Sequence, residues 1–385
     1  MKIRFDKALL LATLLPMAGA VSGRNTIPAI EGFHFEPDAA GESCTIVAYD
    51  LEKGFKTAIP AQIDEGGDCI INAPKLLQIL KLLPEGEVTI AVSENKIANI
   101  SVGKSEFELY ALPGKDFPAL PELSGDKGFS MPQKVLRKMI GQIFFGIAQN
   151  DSRAALNGAY FCIEGDRIKI ISCDGNRLAI KECVCAFENH NADQSTLNFH
   201  FIVPGKALTE LLKIISDKDD MVKIVFGRKH AIFCVDGMRF FCRLIDGEYI
   251  EYNRFIPREN KIFATLSAGA FVGALERASL ITEDRIMGQV HSIVKCNFED
   301  DLLKVTSQSI TGRVYDEIPM VKEGLDLEIG FNCKVLLEAM RACDVDTVDL
   351  ELTSAQMCMI IKPHEKKEDE NFLFLVLPVR MKDMQ

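Results

Sequence analysis

Three short stretches of this chain open on a lysine and then run apolar: KLLQILKLL from Lys75, KALTELLKII from Lys206 and KVLLEAMRA from Lys334. Longer amphipathic stretches lie upstream of each, over residues 4–21, 131–149 and 267–282. A period this long is a whole domain rather than a solenoid unit, so whatever the chain folds into is written three times. A catalytic site is usually needed once per chain. A triplicated scaffold points instead to shape as the product.

Each repeat reads as a long helix, two strands joined by a polar turn, the short lysine-led helix, and a hairpin of alternating apolar residues. The first strand pairs lie near IEGFHFE and CTIVAYD, AYFCIEG and RIKIISC, and SIVKCNF and LLKVTSQ. Val88, Ile90 and Val92 alternate in the first repeat, as Val348, Leu350 and Leu352 do in the third. A last apolar strand closes each repeat: FELYALP, FFCRLID and FLFLVLP. Two helices and many strands per repeat predict an α+β fold of three similar domains, with helices on one face of antiparallel sheet. The Pro- and Gly-bearing polar segments 121–128 and 257–261 place the boundaries, giving domains 1–125, 126–256 and 257–385. The run HEKKEDEN (364–371) reads as a solvated hairpin loop.

The chain has 385 residues, of which 48% are hydrophobic, enough for several cores. Its twelve cysteines are scattered; no C-x-x-C occurs and the closest pair is Cys183 and Cys185. They read as small buried apolar residues in a reducing cytosol. The six histidines are isolated in sequence, and none stands at zinc-finger spacing from a cysteine. No metal and no cofactor are expected. The N-terminus resembles a signal peptide, but Asp6 and Lys7 interrupt the pattern and similar helices recur at 131 and 267. No apolar run reaches the length of a membrane span. An enzyme would need a constellation that is missing. Asp174 beside Arg177, or Cys173, is the best candidate, and neither has a partner at recognisable spacing. There is no phosphate-cradling glycine loop, H-E-x-x-H or G-x-S-x-G.

Lys and Arg total 44 against 55 Asp and Glu, a net charge of −11. The acidic total hides a pattern. Lys134, Arg137 and Lys138 share one helix face. The short helices add Lys75 and Lys81, Lys206 and Lys213, and Lys334 and Arg341, with Glu210 and Glu338 as partial offsets. Arg24 offers a further cation from a loop. Charge alone allows two readings: ordinary solvated helix faces, or one electropositive surface that touches phosphates without reading bases.

The order of four short marks decides between these readings. They are LNG (156–158), IISCDGNRLAI (170–180), LIDGEYIEYNRFIP (244–257) and FLVLPVRM (374–381). Over its full length the chain resembles the bacterial DNA polymerase III beta subunit family, the sliding clamps. The resemblance implies two chains joined head to tail into a closed ring of six domains, helices lining the hole and sheets on the rim. It implies a cytoplasmic, non-catalytic processivity factor that encircles double-stranded DNA. A clamp loader, the replicative polymerase and repair proteins would bind through short Gln- and Leu/Phe-containing peptides.

The family's peptide pocket maps onto Leu156, Cys173, Gly175, Asn176, Arg177 and Leu178, then Ile250, Arg254, Phe255 and Thr347. Leu375, Leu377, Pro378, Val379, Arg380 and Met381 complete it. Leu156, Leu178, Leu375 and Val379 would wall an apolar slot, and Arg177 and Arg254 would orient polar groups on a partner. Asn176 stands where the family often has His, and Ile250 where it often has Pro. The matching dimer face on the first domain includes Lys104, Glu106, Phe107 and Leu109. Its counterpart on the third includes Leu280, Ile281, Arg313, Asp316 and Glu317. The expected pairings are Glu106 with Arg313, and Lys104 with Asp316 or Glu317.

Overall fold

The computed structural model describes residues 1–23, 27–282, 285–286, 289–290, 293–309 and 312–380. Arg24 and Met381 therefore lie outside the described residues. Six α-helices are α1 (Lys7–Met17), α2 (Ala73–Leu82), α3 (Gln133–Ile143), α4 (Gly205–Ile214), α5 (Ala268–Thr282) and α6 (Cys333–Arg341). The short helices begin slightly before the lysines that mark them. Asn72 and Asn332 are the reason. Each side chain accepts an N–H of the first turn, from Lys75 at 3.1 Å and from Val335 at 3.2 Å. Asp6 does the same for α1, accepting from Leu9 at 2.8 Å.

The long helices are shorter than their apolar patterns. Residues 4–21 contain the end of a strand, Lys2–Asp6, before α1 starts, and 131–149 contain the end of the strand Lys127–Pro132. The third repeat has the same lead-in strand, Ile262–Ser267. Each repeat thus begins with a strand rather than a helix. The first strand pair is also a three-stranded meander. Its third members are Lys53–Pro60, Arg177–Val184 and Arg313–Glu323. The second meander in each repeat ends with Ser105–Pro113, Met238–Arg243 or Glu370–Val376.

The chain forms two compact units, residues 1–134, 187–195 and 206–244, and residues 135–186, 196–205 and 245–385. The first holds a 14-stranded sheet and the second a 12-stranded sheet, each of antiparallel neighbours. In both sheets one kind of joint links two repeats. The last strand of one repeat pairs with the third strand of the repeat before it. Met238–Arg243 thus joins Lys53–Pro60 through Phe240↔Phe55, and Glu370–Val376 joins Arg177–Val184 through Phe374↔Ala179. The Phe55 and Phe240 rings pack at 4.8 Å.

The alternation seen in the sequence becomes burial. Ile97–Val102 and Thr347–Leu352 bury every second residue. Helix α2 buries Leu76, Leu77, Ile79 and Leu80, and α6 buries Leu336, Leu337, Ala339 and Met340. Each such leucine or isoleucine is worth about 1.5–3 kcal/mol when withdrawn from water. All twelve cysteines are free and buried or half-buried, and burial pushes the Cys44, Cys69, Cys242 and Cys343 thiols up to about 12. These four act as packing residues.

Candidate functional site

Several candidate pocket residues come together inside the second unit. Leu156, Cys173, Leu178 and Leu375 share one buried cluster with Ala148, Ile171, Ile180 and Cys358. Strand pairing explains it: Cys173 lies opposite Leu178, and Leu178 opposite Leu375. Partly buried Ile250 packs on the cluster, as do Tyr160, Tyr249, Tyr252 and Ile256. Sequence reasoning missed the tyrosines. Tyr249 and Tyr252 stand within the LIDGEYIEYNRFIP mark, but Tyr160 stands in an alternating strand that carries no special signal. The Tyr160 and Tyr249 rings stack at 5.2 Å, 7° from parallel. The Tyr249 hydroxyl is buried without a hydrogen-bond partner, and burial pushes its ionisation upward.

Around this floor the candidates divide. Phe255 is 58% exposed and Leu377 41% exposed, too much for large apolar side chains that serve only as core. Arg254 is exposed and ion-paired with Glu251; Arg380 is exposed, and Pro378 and Val379 are half-buried. The Val379 N–H donates to the Gly330 carbonyl at 2.9 Å, which fixes the course of the chain just beyond the strand Glu370–Val376. Thr347 lies in the strand Thr347–Leu352 and is not a member of the apolar cluster.

Arg177 is one of the two guanidinium groups expected to orient polar groups on a partner. It is largely buried and held on three sides. Its Nε donates to Asp174 at 2.9 Å, Nη1 pairs with Glu338 on α6, and Cζ lies 5.4 Å from the Phe145 ring centroid. Asp174 also accepts the N–H groups of Asn176 and Arg177 at 2.8 and 3.1 Å. Gly175 has φ +92°, the left-handed conformation that this tight turn requires. The Asn176 carbonyl then accepts the Leu377 N–H at 2.8 Å. Arg177 therefore ties the turn to α6, and the turn supports Leu377 at the cluster's edge.

The candidate DNA-facing cations sit on the helices. Lys75, Lys81, Lys134, Arg137, Lys206, Lys213, Lys334 and Arg341 are exposed, and Lys138 is half-exposed. Four of them have acidic neighbours, and for Lys134, Lys138 and Arg341 the sequence does not reveal them. Lys134 pairs with Asp219 at 2.6 Å and Lys213 with Glu210 at 2.6 Å. Arg341 pairs with Glu276 at 2.8 Å, and Lys138 with Glu370 at 2.8 Å and Asp344 at 3.1 Å. Glu370 also binds the ammonium of Lys181, which is buried in the sheet. Partial burial opposes the Glu370 charge, but hydrogen bonds from Lys138 and Lys181 outweigh it and hold the carboxyl down to about 2. Burial lowers the Lys181 ammonium from its ordinary value.

Models of the three domains of the DNA polymerase III beta subunit match the chain in succession. The N-terminal domain matches residues 1–121, the central domain 130–251 and the C-terminal domain 253–380. The beta sliding clamp of Staphylococcus epidermidis is 30% identical over 371 residues, covering 94% of each chain. The DNA polymerase sliding clamp of Bacillus subtilis superposes with a TM-score of 0.89 at 26% identity, covering 99% of each chain. The DNA polymerase III subunit beta of Pseudomonas aeruginosa gives 0.85 at 26% identity, over 99% of this chain and all of that one. This chain belongs to the DNA polymerase III beta subunit family: it is a sliding clamp of DNA replication, and the family is non-catalytic.

Glu370 gives a test of how the cations are held. Its folded value of about 2 lies below its ordinary 4.5, so the stability it lends is full above about pH 4.5 and lost as pH falls toward 2. Glu370→Gln should cost about 2–3 kcal/mol at neutral pH by urea denaturation, because Lys181 loses its buried partner. The variant should also show a shallower loss of stability than the parent across that acid range.

Proposed function

We propose that two copies of this chain close head to tail into a ring around duplex DNA, using a third instance of the joint already present twice within the chain. The observation that carries this is a matched pair of open strand edges. Within each repeat the ladder runs Ile90–Ile100–Phe107, Ile224–Phe233–Phe240 and Leu350–Ile361–Phe374. Phe107, Phe240 and Phe374 are therefore equivalent. The first meanders pair Ala48↔Phe55, Ser172↔Ala179 and Ser307↔Val314, which makes Phe55, Ala179 and Val314 equivalent. The two internal joints are Phe240↔Phe55 and Phe374↔Ala179. The remaining pair is Phe107 with Val314. Among the described residues, Ser105–Tyr110 pair only with Ile97–Val102, and Arg313–Ile318 only with Leu303–Gln308. Edges like these invite strand addition, and they carry exposed Phe107, Tyr110 and Tyr315.

The same register revises the charge pairing. It sets Lys104 opposite Glu317 and Glu108 opposite Arg313, and sets Glu106 opposite Tyr315 with Arg313 on the diagonal. Asp316 is already gripped by Arg277 through two hydrogen bonds of 2.9 Å, so Glu317 is the better partner for Lys104. Leu280, 78% exposed, Ile281, Phe107 and Leu109 would form the apolar centre. The working domains of each chain would be 1–125, 126–256 and 257–385.

The helix cations, with Arg24, would face the duplex. Exposed ion pairs are worth about 0–1 kcal/mol, so phosphates can replace Asp219 or Glu276 at little cost in either direction, whereas buried Glu210 would hold Lys213 more firmly. Weak exchangeable contacts suit a protein held by topology. Partner peptides from the polymerase, the clamp loader and repair proteins would bury apolar side chains on the Leu156–Leu178–Leu375 cluster. Phe255 and Leu377 would cover them, and the Tyr249 hydroxyl would donate to a polar group. Pro378, Val379, Arg380 and Met381 would line the exit, and the setting would be the cytoplasm.

Two measurements test the proposal. Phe255→Ala with Leu377→Ala should weaken binding of a fluorescent Gln- and Leu-containing polymerase peptide at least about 10-fold with unchanged Tm. Undiminished binding would place the peptide elsewhere. In sedimentation equilibrium, Lys104→Glu or Glu317→Lys alone should weaken association about 3-fold, and the double reversal should restore it. Singles and double all matching the parent would refute the register.

A further inference from the structure

Cys162 and His200 are 38 positions apart in a chain whose spacing shows no metal motif, yet they are direct partners across the strands Gly158–Glu164 and Asn198–Pro204. Glu164 is two residues beyond Cys162 on the same strand and so shares its face. The pairing gathers a thiol, an imidazole and a carboxylate whose ligand atoms all lie within 4.8 Å of one another, the one such cluster among the described residues. Cys162 Sγ is 3.5 Å and His200 Nε2 is 3.8 Å from Glu164 Oε1. Donors around a tetrahedral zinc ion, at about 2.0–2.3 Å from the metal, stand about 3.5 Å apart.

A second observation points the same way. The other imidazole nitrogen, Nδ1, is 2.9 Å from the Tyr160 hydroxyl. With Nδ1–H donating to Tyr160, the Nε2 lone pair faces Glu164 and Cys162. An outer partner on the second ring nitrogen is the usual support of a metal-bound histidine. The Tyr160 and His200 rings lie 22° from parallel, which holds the imidazole plane. The nearest cation, Lys169, is the partner of Cys162 on the other neighbouring strand and is engaged by Glu182 at 3.4 Å.

We propose that Cys162 Sγ, Glu164 and His200 Nε2 bind a zinc ion on the exposed face of the sheet, with the fourth position open to water. A thiolate–imidazole–carboxylate set suits zinc and excludes magnesium and calcium, which prefer all-oxygen sites. On binding, the Cys162 thiol proton leaves to solvent and the sulfur takes the metal; no electron transfer is involved. The ion would clamp the edge strand Asn198–Pro204 to its neighbour. It would also fix Tyr160, whose ring stacks on Tyr249 in the apolar cluster.

The test uses the full-length protein, stripped with chelator and titrated with cobalt(II) as a spectroscopic stand-in. One equivalent per chain should give visible d–d bands and a near-ultraviolet thiolate-to-cobalt charge-transfer band, both abolished by added zinc. Cys162→Ser should remove the charge-transfer band, and Tyr160→Phe should lower zinc affinity about 10-fold. His200→Gln, at an exposed position, should also lose the bands and gives the answer if Cys162→Ser fails to fold. No bands in the parent, or bands that persist in His200→Gln, would overturn the proposal.

Discussion

Backbone pairing between the third strand of one repeat and the last strand of the next is the interaction on which the rest depends. It extends the sheet of one repeat into the next and so makes two long antiparallel sheets. It also spaces the helices, because each helix follows directly from a sheet strand, as α2 follows Cys69–Asn72 and α6 follows Leu327–Asn332. Directional hydrogen bonds allow little choice of register when one face is buried, since a one-residue slip would turn the core outward. That is why both internal joints fall on the same rung. It is also why a third joint between chains can be specified residue by residue.

The charge pattern follows from this scaffold. A net charge of −11 would repel nucleic acid if it were spread evenly. The helices instead carry cations on exposed faces, several of them tethered to acids on neighbouring elements. For Lys134 and Arg341, tethering orders the side chain without neutralising a buried group. Lys138 differs, because its partner Glu370 also serves buried Lys181. Moving Lys138 toward a phosphate would leave Glu370 with a single cation, so this site should yield less readily than Lys134 or Arg341, and Lys213 is likewise held by buried Glu210.

The threefold repeat, the helices and the alternating strands were legible in the sequence because each has a local period. The apolar members of the buried cluster were legible through the family marks around Cys173, Leu178 and Leu375. What escaped was non-local. KIRFD looks like the start of a helix until its pairing with Glu87–Val92 is seen. Lys53–Pro60 gives little alternation, yet it carries a joint between repeats. The partners of Lys134, Lys138 and Arg341 lie 85, 232 and 65 positions away or on other elements, beyond any spacing rule. The neighbours of Arg177, Phe145 and Glu338, come from distant segments and leave no sign in the sequence. Cys162 and His200 meet for the same reason, through a strand pair that no motif encodes.

The central claim is that the open edges at Ser105–Tyr110 and Arg313–Ile318 are halves of one joint. Light scattering across a dilution series tests it most directly. The account predicts a mass of twice 42.7 kDa that persists on dilution to nanomolar protein. A mass of 42.7 kDa at every concentration would contradict it, because two matched edges that never pair are not a joint.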